Sequence, residues 1–151
     1  MIESFVKIKV AWIGKTKDAA IQSLTDEYLK RLSRYAEVEG VRLKDETALL
    51  LCRRDARPGR YTLVLLDQRG KQLSSEELAK FLGDYQDRNP LPLLFAVGAA
   101  DGFTDQTRQA ATLVLSLGKM TLAHELARVV LLEQLYRAFT ILKGHPYHLG
   151  H

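Results

Sequence analysis

The 151-residue chain has a single cysteine, Cys52. No intrachain disulfide can form, and a reducing interior is the expected setting. No apolar run approaches the roughly 20 residues that a membrane helix needs. The first strongly patterned segment, Val6-Lys7-Ile8-Lys9-Val10-Ala11-Trp12, carries charge within its alternation and does not read as a leader, so a cytoplasmic, unprocessed protein is expected. The phosphate-binding pattern GxxxxGK[ST] is missing, which excludes an anion cradle for a triphosphate. His124-Glu125-Leu126-Ala127-Arg128 begins like HExxH but has Arg128 where the second ligand must stand, which excludes a zincin. No Ser/His/Asp series is evident, and Cys52 has no assigned base. His145, His148 and His151 lie three apart around Pro146 and could take up a metal adventitiously. With no Cys or carboxylate paired to them, structural or substrate-contact roles are favoured and no metal cofactor is expected.

What is present is ordinary for a folded protein: 46% hydrophobic and 26% charged residues, enough to bury a core and to argue against disorder. A single domain over residues 1–151 is expected. The net charge is +4, and the stretch from 53 to 71 alone carries that excess, with Arg53, Arg54, Arg57, Arg60, Arg69 and Lys71 against Asp55 and Asp67. Such a concentration suits a polyanion such as nucleic acid, because phosphate contacts release counterions. A solvated basic loop satisfies the same pattern equally well.

Periodicity predicts a strand from Val6 to Trp12, a turn at Gly14, and an amphipathic helix from about Asp18 with Ile21, Leu24, Tyr28, Leu32 and Tyr35 on its apolar stripe. Val38–Leu43 reads as a strand and Glu46–Cys52 as a short helix ended by Arg57-Pro58-Gly59. Tyr61–Leu66 is a buried strand that ends at Asp67 and leads into a loop through Gly70, where the glycine serves a turn. Ser74 and Glu77 form a capping box for a helix with Leu78, Phe81, Leu82 and Tyr85 on its stripe, stopped at Asn89-Pro90. Leu93–Val97 is a strand, Asp105 to about Ala111 a helix, Leu113–Leu117 a short strand, and Ala123–Leu142 the last helix. The order βαβ(α)βαβαβα predicts an α/β fold, a mostly parallel sheet flanked by helices. The last helix is apolar around most of its circumference, and a helix lying on one sheet would leave its outer side wet. A partner subunit is the simplest cover, so a homodimer is expected.

Three turns follow strands. Gly98-Ala99-Ala100-Asp101-Gly102 lets a ligand approach the backbone, although a plain strand-to-helix turn explains it too. Leu66-Asp67-Gln68-Arg69-Gly70 has the same two readings. Leu117-Gly118-Lys119-Met120-Thr121-Leu122 joins an exposed backbone to the last helix; Met120 taken singly is a core residue. Converging, these strand ends would make a pocket of backbone N–H and C=O groups suited to an adenine and a ribose. Glu133 and Arg137 share a helix face, by default as a surface ion pair. Tyr147-His148 offers an aromatic face and an imidazole, suited to stacking on a base and moving its proton.

Together these blocks resemble the RlmH family of SPOUT-class methyltransferases, which methylate the N3 nitrogen of a pseudouridine in large-subunit ribosomal RNA. The resemblance runs from Lys7–Gly14 through Glu27-Tyr28-Leu29-Lys30-Arg31-Leu32, Leu66–Lys71 with Ser74-Ser75-Glu76, and everything from Phe95 to His148. It implies a C-terminal trefoil knot, a homodimer, a ribosomal RNA substrate met on the assembled ribosome, and S-adenosylmethionine held at Leu66, Gly98 and Leu117, Gly118, Lys119, Met120, Thr121 and Leu122. Proton handling would fall to His148, with His124 as the second candidate, while Arg137 would anchor phosphate or the developing anion and Tyr147 would stack or hydrogen-bond. The family has a second glycine where this chain has Ala99, which narrows the loop, and the segment between Leu43 and Tyr61 is shorter than usual, which bears on RNA contacts there. A SPOUT-like methyltransferase acting on another RNA, or a non-enzymatic ribosome-associated factor, are the alternatives.

Overall fold

Alternation along the strands decides which side of the sheet each helix covers. In a computed structural model describing residues 6–54, 60–88 and 91–149, the elements are β1 (Lys7–Ile13), α1 (Ala19–Leu32), β2 (Glu37–Leu43), α2 (Glu46–Arg54), β3 (Thr62–Gln72), α3 (Ser75–Arg88), β4 (Leu93–Val97), α4 (Asp105–Ala110), β5 (Leu113–Ser116) and α5 (His124–Leu142). The five strands are parallel in the order β2-β1-β4-β3-β5. Ile8, Val10, Trp12, Val64, Phe95 and Val97 point to one face, where α1, α3 and α5 supply Leu32, Leu82, Leu132, Leu135 and Phe139. Leu63, Leu65, Leu94 and Ala96 point to the other, under Leu49 of α2 and Phe103 ahead of α4. A period of two with both faces covered is the signature of a three-layer α/β/α arrangement.

Local chemistry fixes the helix starts. Asp18 caps α1 by accepting from the Ala20 N–H at 2.8 Å. The capping box ahead of α3 forms in both directions: the Ser74 N–H donates to Glu77 Oε1 at 2.8 Å, and the Glu77 N–H to Ser74 Oγ at 3.0 Å. The breakers at Arg57-Pro58-Gly59 and Asn89-Pro90 lie outside the described residues, as does His151.

Several expectations change. The strand expected to end at Asp67 continues to Gln72 as β3, because β5 pairs with it twice: Leu66 and Lys71 both align with Leu115, and residues 67–70 swing out between them. Gly70 therefore serves no turn. A Cβ there would sit 2.5 Å from the Val114 carbonyl oxygen and 2.8 Å from the Leu115 nitrogen, so the glycine permits the approach of β5. The reason for expecting a partner over α5 also changes. Within one chain α5 packs against α1 and α3 as well as the sheet, burying Leu131, Leu132, Leu135, Ala138 and Phe139 and leaving Leu126 and Leu142 as its exposed large apolar side chains. Leu24 of α1, expected on the apolar stripe, is exposed, and Thr25 takes the buried position. Among the described residues no helix is long and apolar enough to cross a membrane.

Candidate functional site

The carboxyl ends of β3, β4 and β5 gather around a cleft of about 490 Å³. Each rim segment is held by its own hydrogen bonds. The swing at 67–70 is organised by Asp67, whose buried carboxylate accepts from the Arg69 N–H at 2.9 Å and Nε at 3.2 Å, with Arg108 Nη1 at 3.8 Å. Burial alone would raise the Asp67 pKa; the bonds from Arg69 and the charge of Arg108 outweigh it and hold the carboxyl below its usual range. After β4, the Gly102 N–H donates to the Ala99 carbonyl at 2.9 Å, and Gly102 takes a φ of +76° that favours glycine. Ala99 lines the cleft with an ordinary negative φ, so its methyl is accommodated. After β5, Ser116 Oγ bonds both the N–H and the carbonyl of Gly118, whose φ is +140°. Gln68 Nε2 donates to the Lys119 carbonyl at 3.1 Å and ties the first segment to the third.

Glu46, which carried no signal in the sequence, braces the second segment from outside. Its carboxylate accepts from the Thr104 N–H at 3.0 Å, the Thr104 hydroxyl at 2.8 Å and the Thr107 hydroxyl at 2.6 Å. Burial opposes ionisation here too, and these bonds more than offset it, lowering the Glu46 pKa. The first turn of α2 is thereby fastened to the loop between β4 and α4.

Of the residues expected to hold a cofactor, Leu66, Gly98, Leu117, Gly118, Met120, Thr121 and Leu122 line the cleft. Lys119 does not; its side chain is exposed and its carbonyl faces Gln68. Met120 is 85% exposed, which settles it as a rim residue rather than core. His124, in the first turn of α5, also lines the cleft.

Arg137, Tyr147 and His148 are brought together, but elsewhere. The Arg137 guanidinium meets Glu133 at 2.9 Å, the Tyr147 hydroxyl donates to Glu133 Oε2 at 2.7 Å, and His148 lies between Arg137 (Nδ1 to Nη1, 2.9 Å) and Glu76 (Nε2 to Oε1, 2.6 Å). Because a guanidinium only donates, Nδ1 must accept and Nε2 carries the proton toward Glu76. Burial first, then the bond to Glu133, pushes the Tyr147 phenol well above its usual range. None of these three lines the cleft: Glu133 is nine residues along α5 from His124, about 13 Å at the helical rise. Glu76 entered the sequence reading only as part of a matched block, since nothing in its spacing places it beside His148. The basic stretch divides as well, with Arg60 just before the start of β3 and Arg69 at the cleft mouth near its other end. His145 bonds the Tyr35 hydroxyl, and among the described residues no group of three potential metal ligands gathers.

Residues 6–148 match the family model described as a predicted SPOUT methyltransferase. A ribosomal RNA large subunit methyltransferase H from Koribacter versatilis is 61% identical over 148 residues, spanning 97% of this chain and 100% of its own length. The protein of the same name from Geobacter sp. (strain M21) is 41% identical over 152 residues, at 95% and 99%. Among solved structures, the SpoU methyltransferase AviRb from Streptomyces viridochromogenes in complex with AdoMet superposes with a TM-score of 0.54 at 14% identity, covering 90% of this chain and 59% of that one. That likeness concerns the fold.

Proposed function

This chain belongs to the SPOUT methyltransferase family, and on that footing we propose that it methylates large-subunit ribosomal RNA from S-adenosylmethionine, at the N3 nitrogen of a pseudouridine. The observation that carries the reading is the convergence of the three strand-end segments on one cleft, of a size that takes a cofactor. S-adenosylmethionine supplies an electrophilic methyl group on a sulfonium. Leu66, Gly98, Leu117, Gly118, Thr121 and Leu122 would hold it through main-chain groups and small or apolar side chains, with Met120 closing over the rim and Lys119 acting through its carbonyl on Gln68. Gly98 lets the buried Phe103 ring pack close behind the cleft wall, since a Cβ there would crowd that ring at 3.1 Å.

The acceptor nitrogen carries a proton at neutral pH and needs a base or a cation to ease its loss. His124 stands in the cleft for that role. His148 has both ring nitrogens engaged, so in our reading it acts once substrate displaces Arg137 from Nδ1, with Arg137 then facing phosphate or the developing anion and Tyr147 positioned by Glu133. The span along α5 keeps these groups from the same chain's cleft. A homodimer, in which one copy's tail meets its partner's cleft, brings them together and gives the dimer a catalytic reason that helix burial does not supply. A cytoplasmic location and a C-terminal knot belong to the same reading. The test has two arms: calorimetry with S-adenosylmethionine, and primer extension across the expected ribosomal RNA position in a deletion strain with and without the restored chain. No calorimetric binding would leave a non-enzymatic RNA-binding factor; binding without the modification would point to another RNA.

A further inference from the structure

Among the described residues, the helix that brings His124 to the cleft is the one that starts without a capping side chain. Asp18, Asp45, Ser74 and Thr104 each accept from a backbone N–H in the first turn of α1, α2, α3 and α4. Ala123 stands in that place before α5 and has no side-chain oxygen to offer. Two contacts from distant segments hold this turn instead. Glu125 Oε1 accepts from the Lys17 N–H at 2.8 Å, across 108 residues. The second contact is Arg128, one turn on, whose guanidinium lies 4.2 Å from the centre of the Trp12 ring and whose Nη1 donates to the Thr25 hydroxyl at 3.4 Å. Thr25 can accept, since its own hydrogen goes to the Ile21 carbonyl at 2.7 Å. Trp12 links this contact to the cleft: it pairs in register with Val97, which lines the wall.

Stability does not account for Arg128. Its side chain is 2% exposed, and among the described residues its Nε meets no acceptor. Burial pulls its pKa down, and the charge of Glu125 is what opposes that pull. A buried charge with an unspent donor costs more than hydrocarbon of similar size. Methionine could cover Trp12 at less cost. A guanidinium does what methionine cannot: stacked on one ring and bonded to one hydroxyl, its plane has a single orientation against β1 and α1. We propose that Arg128 is a positioning residue, which locks the uncapped first turn of α5 against Trp12 and Thr25 and so fixes where His124 enters the cleft. His124 stands four residues before Arg128, on the same side of the helix. The inference rests on the reading of His124 as the cleft's proton-handling group, and it names the side chain that holds that group in place.

Arg128→Met keeps an unbranched apolar stem and removes the cation. Native-state hydrogen exchange on the full chain reads the lock without any need for activity. The Ala127 amide, bonded to the Ala123 carbonyl, and the Lys17 amide, bonded to Glu125, should each exchange about tenfold faster or more. The Leu78 amide makes the same first bond in the capped α3 and should stay within about twofold of wild type. The variant should melt no lower than wild type and bind S-adenosylmethionine within about threefold. Single-turnover methyl transfer to ribosomes from the deletion strain should fall by about tenfold or more. A side chain that served stability alone would, when replaced, lower the melting temperature and speed exchange throughout; that pattern would overturn the proposal, as would unchanged exchange at Ala127. Faster exchange with an unchanged transfer rate would show the lock to be idle and would overturn it too. If Arg128→Met does not fold, Glu125→Gln decides, because it keeps an acceptor for Lys17 and removes the charge that supports the guanidinium. Ala127 should then exchange about threefold faster or more, and no change there would refute the lock. The arms fail separately: a wild type that binds no donor sinks the enzymatic reading, whereas exchange at Ala127 judges Arg128 alone.

Discussion

Gly70→Ala isolates the close approach of β3 and β5 from every other feature of the cleft. The added Cβ would lie 2.5 Å from the Val114 oxygen, 2.6 Å from its carbonyl carbon and 2.8 Å from the Leu115 nitrogen. All three are backbone atoms of a paired strand, so relief requires β5 to move rather than a rotamer to turn. Overpacking of this kind costs about 1–3 kcal/mol, which for a chain of this size lowers the melting temperature by about 4–10 °C. β5 delivers Ser116 and Gly118 to the rim, and the moved strand should also weaken donor binding by about tenfold or more, equivalent to about 1.4 kcal/mol. Gly83→Ala is the matched comparison. Its nearest new neighbour is the end of the exposed Leu142 side chain at 3.0 Å, which can swing away, and a helix-interior alanine gains about 0.5–1 kcal/mol over glycine. Calorimetric unfolding and a donor titration read both variants. Gly70→Ala melting within a degree of wild type, with unchanged donor affinity, would refute the argument that this glycine is fixed by the strand approach.

Glu46→Ala removes the brace between α2 and the loop after β4 and should weaken donor binding about tenfold, in line with charged hydrogen bonds worth about 1.5–3 kcal/mol. Since the Glu46 carboxyl is held below its usual range, its support is complete above the ordinary carboxylate pKa and is lost as the pH falls through the depressed value; donor titrations across acidic pH should show a decline that the alanine variant lacks. Glu133→Gln should bring the Tyr147 phenol part of the way back toward the ordinary tyrosine value, because burial, the larger cause, remains; absorbance titration in alkali reads the shift. The raised phenol favours the folded tail below the ordinary tyrosine pKa, and that contribution fades as the pH rises beyond it. Lys119→Ala should leave donor affinity within about twofold, since its side chain points away from the cleft and its carbonyl survives the change; a tenfold loss, or about 1.4 kcal/mol, would place the ammonium on the ligand.

The sequence disclosed the features that local chemistry decides. The alternation at Val6–Trp12, the capping box at Ser74 and Glu77, and the short apolar run Leu93–Val97 each carried their own period or partner, and the elements formed where those signals stood. Leu66, Gly98 and Gly118 were legible as cleft residues because turns at the carboxyl ends of parallel strands share one edge of the sheet, whatever the strand order. Features set by contacts between distant segments were not legible. Gly70 read as a turn residue because its requirement lies in the Val114 backbone, across the strand pair. Glu46 stands 58 residues from Thr104, and Glu76 stands 72 from His148; no period connects such pairs.

The last helix shows why the distinction matters for function. Its apolar circumference was read as a demand for a partner, yet α1 and α3 meet that demand within one chain. Burial therefore cannot decide whether the protein pairs. What bears on pairing is the placing of polar groups on the same helix: His124 opens into the cleft, while Glu133 and Arg137 hold the tail about two and a half and three and a half turns away. If the tail groups take part in the reaction, a monomer cannot use them at its own cleft, and activity must depend on association. Dilution below the dimer dissociation constant should then abolish methyl transfer while leaving donor binding intact, as followed by single-turnover transfer alongside sedimentation. A monomeric species that keeps its full transfer rate would confine catalysis to His124 and the cleft, and would return the Arg137–Tyr147–His148 cluster to a structural role.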